Sequence, residues 1–569
     1  MRWPAELRET PETMRWPAEL RETPDPQGAY PRLSDAQLQA LAPHGERRRV
    51  HRDEVLYAEG LPCTEFFAVL AGKVATVEGF GADDQVIGVH GAGRFLGELN
   101  VLTGQVGFVT GVVAEDGEVL AVPADALRRL VAGDPALGDL ILRAYLVRRT
   151  MLIGLGAGFR VVGSRFSADS RRLREFAARN RLPHRWIDLE QDREADRFLR
   201  SMGVTPEDTP VVIWRGETVL RNPSNAELAR AIGLPAPGVQ ETRCDLLVIG
   251  AGPAGLAAAV YGASEGLATT VLDDVATGGQ AGTSSRIENY LGFPSGISGG
   301  EMAERAAIQA GKFGARFLVP AQACGLRLNA GDHTVTVGEG GTIHARTLII
   351  ATGVRYRRLD GVNLERFEPT SVYYAATMFE AQMCVREPIV VVGGGNSAGQ
   401  AALFLARHAD CVRLLVRDDT LSRSMSRYLA VEVERHPRIQ IMPNTEVREL
   451  IGEERLAAVI AENNRTGERS TIEARAMFIF IGAEPYTAWL ADEIALDPRG
   501  YILTGADAGR SGREGVPDSV GRPFPLETSS TGVFAAGDVR SGSVKRVAAA
   551  VGEGAMAVRL IHDYLQAGE

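Results

Sequence analysis

Three glycines and a carboxylate make the clearest chemical statement in this sequence. Gly250, Gly252 and Gly255 stand in G-x-G-x-x-G register in GAGPAG, with Pro253 and Ala254 among them. Each position has a job in holding a dinucleotide. Gly250 permits a tight turn, Gly252 lets the main chain approach a pyrophosphate, and Gly255 lets a helix pack on a strand. Asp273 follows about 20 residues on, where a carboxylate accepts hydrogen bonds from ribose hydroxyls. These residues need a strand before them and a helix after them. The apolar run Leu246–Ile249 supplies the strand, the Ala-rich stretch after GAGPAG the helix, and Thr269–Leu272 a second strand ending at Asp273. A second unit begins about 140 residues later: Pro388–Val392, then Gly393, Gly394, Gly395, Asn396, Ser397 and Ala398, in G-x-G-x-x-A register. Two such loops imply two dinucleotides, most simply a flavin and the nicotinamide that reduces it.

The bulk numbers are those of an ordinary soluble globular protein. With 569 residues, about four domains are expected, and 45% hydrophobic with 24% charged residues is ordinary globular composition. A formal net charge of -10 argues against nucleic acid as a partner. No apolar run reaches membrane-spanning length and no apolar signal core opens the chain, so the expected location is cytoplasmic. The five cysteines are scattered and none forms C-x-x-C, which indicates neither a zinc site nor a disulfide framework. No metal-ligand spacing or Ser-His-Asp arrangement stands out among the nine histidines, so no metal is expected and no side chain is assigned as acid, base or nucleophile.

The first 240 or so residues read differently. MRWPAELRETP occurs twice, at 1–11 and 14–24, and residues 1–30 are expected to be a disordered, duplicated tail. From Ser34 a short helix leads into strand-like runs at Arg48–Val50, Val55–Tyr57, Glu65–Ala71, Val74–Val77, Gln85–Val89 and Glu118–Val122. VLYAEGLPCTEFFAVLAGKVATV and GRFLGELNVLTGQ make residues 31–152 resemble the cyclic-nucleotide-binding domain. That resemblance gives Gly97, Glu98 and Leu99 to the ribose turn but puts Gly107 where the family's phosphate-binding arginine falls. The implied outcome is the fold kept and cyclic nucleotide binding lost. Residues 157–236 resemble a thioredoxin-like domain with strands Arg160–Gly163 and Pro183–Asp188, helix Asp169–Asn180, and a hairpin of Pro210–Trp214 and Glu217–Leu220. Ser167, Ala168, Asp169 and Ser170 stand at its redox motif and Thr209-Pro210 at its cis-proline turn. With no sulfur in the motif, a spacer or docking module is expected.

From Cys244 onward the chain resembles low-molecular-weight thioredoxin reductase. The resemblance assigns FAD to Gly250, Gly252, Pro253, Ala254, Gly255 and Asp273, then to Gly278, Gly279 and Gln280. It adds Asn289 in IENYLGFP, Thr352 in LIIATG, Gly537 and Asp538 in VFAAGDV, and Arg546, Val547 and Ala548. The nicotinamide coenzyme falls to Gly393, Gly395, Asn396, Ser397 and Gly482. Arg417 and Arg423 are available to a 2′-phosphate, while Asp418 opposes one; NADPH is expected, with NADH the alternative. The implied fold class is a multidomain α/β protein. It has two Rossmann-like dinucleotide-binding domains preceded by a cyclic-nucleotide-binding-like β-barrel and a degenerate thioredoxin-like domain. The flavin domain takes 243–362 and 487–569, the nicotinamide domain 363–486, and a homodimer is implied.

One departure decides the expected mechanism. Where thioredoxin reductase carries C-x-x-C, this chain reads Ala375, Ala376, Thr377 and Met378, and Cys384 has no partner at the right spacing. The expectation is an FAD enzyme that takes hydride from NAD(P)H and passes electrons to an external acceptor, with no dithiol relay of its own. Tyr373 and Tyr374 are candidates for packing near the flavin, core packing being equally open. The alternative is a flavin-based redox or ligand sensor acting through the N-terminal domains.

Overall fold

The computed structural model describes residues 16–567 apart from 17–19, 26, 80–84, 104, 166, 193, 196, 198, 200–202, 216–217, 235–241, 285, 330, 339–340, 360–362, 369, 377, 454, 491–492 and 512–522. The chain forms two compact units. One comprises Met1–Ser164, Phe176–Pro237 and Leu318–Pro320; the other comprises Arg165–Glu175, Gly238–Phe317 and Ala321–Glu569.

In the first unit, Glu46–Val50, Thr110–Pro123, Glu65–Glu78 and Gln85–His90 line up in that order as an antiparallel sheet, with Val55–Tyr57 also pairing to Thr110–Pro123. The runs expected at Glu65–Ala71 and Val74–Val77 are one 14-residue strand. Gly72, at φ 79°, carries it through irregular pairing with Thr110–Pro123, because a Cβ there would lie 2.6 Å from the Asp116 carbonyl. Glu118–Val122 is likewise the second half of a strand of equal length. Phe66, Phe95, Leu41 and Ile141 close the core beneath the helix Pro135–Leu155. Helix Asp35–Leu41 starts as its sequence dictates, with Ser34 and Gln37 forming a capping box. The expected tail lies partly outside the described residues; Tyr30, which is described, is buried at 4% exposure.

The next sheet runs Thr218–Arg221, Val211–Trp214, Phe159–Gly163, His184–Asp188. Its last pair is parallel and the other two antiparallel, with helix Ala168–Arg179 between the parallel strands in sequence. The Thr209-Pro210 bond is cis.

The second unit is built on a seven-stranded sheet. Thr242–Ile249 sits between Thr269–Leu272 and Gly341–Ile350, parallel to both, and Val533–Ala535 joins Gly341–Ile350 in parallel. Leu246, Leu247 and Val248 are fully buried, as a strand covered on both faces requires. Each such side chain contributes roughly 1.5–3 kcal/mol of burial. A second sheet, entirely parallel, orders Val372–Tyr373, Ala476–Ile479, Pro388–Val392, Cys411–Val416 and Ile439–Pro443. A three-stranded antiparallel sheet of Thr445–Gly452, Leu456–Asn463 and Arg469–Glu473 follows in sequence. Val354–Tyr356 and Ala483–Pro485 pair antiparallel, so the chain enters and leaves the parallel-sheet segment through adjacent strands.

Candidate dinucleotide sites

Each glycine loop leaves the end of a buried strand and opens a helix. Gly250, at φ 107°, follows Thr242–Ile249, and a Cβ there would lie 2.6 Å from the Ala351 carbonyl carbon. Gly393, at φ 140°, follows Pro388–Val392, and its Cβ would lie 2.9 Å from the Phe480 carbonyl carbon. Both loops therefore press against a neighbouring strand's end, a contact open only to glycine. Gly252 caps helix Pro253–Ser264 and Gly395 caps Asn396–Leu405, neither with a side-chain hydrogen bond to the helix start. A helix that starts this way presents its first N–H groups to an anion. A Cβ on Gly255 would lie 3.0 Å from the Gly250 carbonyl carbon, which fixes helix against strand.

Other expected flavin residues gather around the first loop. A Cβ on Gly279 would lie 3.0 Å from Gly252 Cα, and one on Gly537 would lie 2.9 Å from Ala254 Cβ. The Gln280 amide donates to the Val354 carbonyl, and Thr352 Oγ1 donates to the Tyr486 carbonyl at 3.0 Å. Asp538 follows Gly537 in a short 3-10 turn, and burial raises its carboxyl pKa. Arg546 is exposed just before helix Val547–Ala567, which Val547 and Ala548 begin. That helix packs on Pro253–Ser264 at Gly554, where a Cβ would lie 3.0 Å from the Ala254 carbonyl carbon. Asn289 is exposed, two residues past the bridge of Ile287 with Ile297.

Asp273 does more than its motif foretells. Its Oδ2 accepts from the Ala251 N–H at 2.9 Å, and its Oδ1 accepts from Val275 and Ala276, each at 3.0 Å. The carboxylate thus ties the glycine loop to the turn after the second strand. Burial raises its pKa and Asp274 adds to the rise, while the three main-chain donors oppose it. The lack of a Cβ on Gly252, Gly279 and Gly537, the uncapped helix start and a carboxylate at the strand end suit a flavin dinucleotide.

The second loop is braced from about 30 residues downstream. Ser424 Oγ donates to the Gly394 carbonyl at 2.9 Å, and the Ser426 N–H and Oγ donate to Asn396 Oδ1 at 2.7 and 3.0 Å. Past the strand Cys411–Val416, Arg423 Nε lies 3.4 Å from Asp419 and Arg423 Nη1 lies 3.9 Å from Asp418. Arg465 reaches the same Asp419 at 3.4 Å, and Asn464 donates to the Arg417 carbonyl at 2.9 Å. Ser397 lies in the first turn of helix Asn396–Leu405, and Gly482, at φ 100°, opens the turn before Ala483–Pro485.

Tyr373 lies in the core of the parallel-sheet segment, its ring 5.0 Å from Phe478 and its hydroxyl donating to the Thr370 carbonyl at 2.9 Å. Arg171, which counts with this unit, has its guanidinium 4.5 Å from that ring centroid. Tyr374 donates to Glu368 at 2.6 Å. Cys384 is buried at 2% exposure, and burial pushes its thiol up to about 12. Among the described residues no group of three or more potential ligands could hold a metal, and no helix is long and apolar enough to cross a membrane.

The pyridine nucleotide-disulphide oxidoreductase model matches residues 244–554, more than half of the chain and both glycine loops. The chain belongs to this family. The cyclic nucleotide-binding domain model matches residues 47–134. Thioredoxin reductase of Treponema pallidum is 33% identical over 57% of this chain and 98% of its own length. A protein described as the 34.2 kDa protein in rubredoxin operon, from Clostridium pasteurianum, is 31% identical over 57% of this chain and 98% of itself. The crystal structure of T. acidophilum thioredoxin reductase superposes with a TM-score of 0.51 at 28% identity, covering 57% of this chain and 99% of that one. The chain is thus an NAD(P)H-dependent flavoprotein oxidoreductase with a thioredoxin-reductase-like region, and proteins of this kind use FAD and NADPH.

For a member of this family, two supports of the cofactor loops carried no local signal. Glu553 accepts from the Gly537 N–H at 2.7 Å and from Arg540 Nε at 3.2 Å, setting the turn that carries Asp538. Ser424 and Ser426 set the second loop from a distance. Hydrogen bonding across 16 and 30 residues leaves no spacing rule to read.

Proposed function

We propose that this oxidoreductase takes electrons from a nicotinamide coenzyme and delivers them to an acceptor outside the chain, without a dithiol of its own. The observation that carries the reading is the pairing of two glycine-braced loops with Ala375, Ala376, Thr377 and Met378 where the relay cysteines belong. FAD, when bound, supplies hydride acceptance from the nicotinamide and onward electron transfer. The chain's own residues position and shield. Gly252, Gly279 and Gly537 admit the main chain to the flavin dinucleotide, Asp273 and Asp538 meet its hydroxyls, and Gly393, Gly395 and Asn396 hold the second pyrophosphate. Cys384 takes no part, since a thiol held near 12 and buried is not a thiolate at neutral pH. The acceptor classes that suit this chemistry are a partner protein's disulfide, a quinone or other small oxidant, and an iron-sulfur protein.

The same proposal treats the sheet around Phe159–Gly163 as a thioredoxin-like module kept for docking. Its parallel and antiparallel strand pairings support that reading, and Ser167 and Ser170 cannot exchange electrons. A homodimer built on the flavin fold belongs to the proposal too.

Anaerobic addition of NADPH and, separately, NADH to the flavin-loaded protein is the test. Bleaching of the flavin band by either, with no turnover of thioredoxin, is the expected result. A flavin that neither coenzyme bleaches would sink the reading and leave the chain as a flavin-bearing sensor.

A further inference from the structure

In the first unit, residues of the segment matched by the cyclic nucleotide-binding model, with Tyr30, Arg148 and Met151 from either side of it, line a partly open cavity of about 30 Å³ that also meets Tyr57, His90 and Glu98. That is room for water, not for a nucleotide. The reason is visible in what fills the surroundings. Arg148 reaches in from helix Pro135–Leu155, and its Nη1 donates to Glu98 Oε1 at 2.7 Å; the two side chains are only 8% and 1% exposed. Its Nε donates to the Ala29 carbonyl at 2.6 Å, and its guanidinium carbon lies 5.2 Å from the Tyr30 ring centroid and 4.9 Å from that of Phe95. One guanidinium therefore ties together the helix, the barrel and the segment that precedes the barrel.

That segment is seated firmly. Thr23 exchanges two hydrogen bonds with Val89, N–H to carbonyl at 3.2 Å and Oγ1 from the Val89 N–H at 2.8 Å. Arg94 Nη1 donates to the Thr23 carbonyl at 2.7 Å, Arg94 Nε lies 3.5 Å from Glu22, and the Tyr30 N–H donates to Asp25 at 2.9 Å. The Tyr30 ring meets His90 edge-on at 5.4 Å. Gly107 sits in a bridge to Glu59 and adds no side chain to the cavity. Glu98 Oε2 and Arg148 Nη2 are buried without a hydrogen-bond partner in the protein, so the polar ends the pocket would offer a ligand are half used by each other and half open to the cavity.

We propose that this pocket is occupied from within: Arg148 and the Tyr30 segment serve as its built-in ligand, locking helix Pro135–Leu155 on the barrel with no cyclic nucleotide. The lock is a buried charge pair braced by an aromatic ring, and such a pair is costly to break from one side only. Entry of any nucleotide requires expulsion of Tyr30 and separation of Arg148 from Glu98.

Two measurements on the full chain test this. Calorimetric titration with cAMP and with cGMP, each to about 1 mM, should give no saturable heat; binding of either with Kd below about 100 μM would overturn the proposal. In hydrogen exchange, Arg148→Met and Tyr30→Ala should each speed exchange of peptides from 135–155 by about tenfold or more. The flavin band serves as a check that the second unit stays folded. Unchanged exchange in Tyr30→Ala would also overturn it. Should Arg148→Met fail to fold for want of a partner to Glu98, Glu98→Gln/Arg148→Met removes both charges and carries the same expectation.

Discussion

Cys384 and Cys324 offer a direct reading of what single residues contribute. Cys324 is exposed, whereas Cys384 is buried with its thiol raised to about 12 by burial, the neighbouring Glu380 adding to the rise. In the native protein at pH 8, a thiol reagent such as DTNB should label Cys324 and spare Cys384, and Cys384→Ser should leave reoxidation of the coenzyme-reduced flavin by a quinone unchanged; slower reoxidation in that variant would restore a thiol to the electron path. Gly279→Ala should lower flavin content at least severalfold. The residue stands at φ 54° and the added Cβ would press on Gly252 Cα at 3.0 Å. Absorbance ratio at the flavin and protein bands measures it, and full occupancy would show that the cradle tolerates a methyl. The glycines were legible because their motif is local: turn, approach and packing lie within six residues. Glu553, Ser424 and Ser426 were not, since each acts on a loop remote in sequence. Asp273 was read for its ribose role alone, and its three main-chain bonds emerge only once the loop has folded around it.

Elements were easier to find than to delimit. Short strand-like runs pointed to strands at Glu65–Ala71 and Val74–Val77, but the glycine between them reads as a turn, whereas at Gly72 the chain keeps its direction through a bulge. Pairing with Thr110–Pro123 over the whole length decides the matter, and that partner is far along the chain. The loop after strand Cys411–Val416 presents the opposite case, an element seen correctly whose charges were only partly sorted. Asp418 was set against the arginines, and Asp419 turns out to hold both Arg423 and Arg465. Exposed pairs of this kind are worth about 0–1 kcal/mol. Asp419→Asn should therefore tighten 2′,5′-ADP binding by no more than about fivefold while leaving 5′-ADP unchanged. Fluorescence or calorimetric titration checks it; weaker 2′,5′-ADP binding would mean that Asp419 orients the arginines instead of withholding them.

At the scale of the whole molecule, two buried groups, one in each unit, should answer acid in opposite ways. In the first, burial raises Glu59 to about 7, a neighbouring Glu78 adding to it and the Gly79 N–H opposing it. Its protonated form is favoured by the fold, so its contribution is full below the ordinary carboxylate range and is lost as pH rises through about 7. In the second unit, burial lowers His333 to about 4 against a small opposing pull from Asp332. Its neutral form is favoured, so its contribution is full above about 6.5 and is lost as pH falls toward 4. Each is worth about 3 kcal/mol as an upper figure. Between pH 6.5 and 4.5, peptides around His333 should lose exchange protection while those around Glu59 gain it. Glu59→Gln should flatten the gain and His333→Phe the loss; parallel loss around both residues would refute the assignment. The paired strands Val354–Tyr356 and Ala483–Pro485 have a consequence of another kind. Tyr356 and Ala483 face each other across one strand spacing, about 5 Å. Everything between them is thus a cassette in the genetic sense: its two ends can be cut and spliced through a two-residue turn without moving the flanking flavin fold. The same doorway is where a gene for one nucleotide-binding unit could once have been dropped into another.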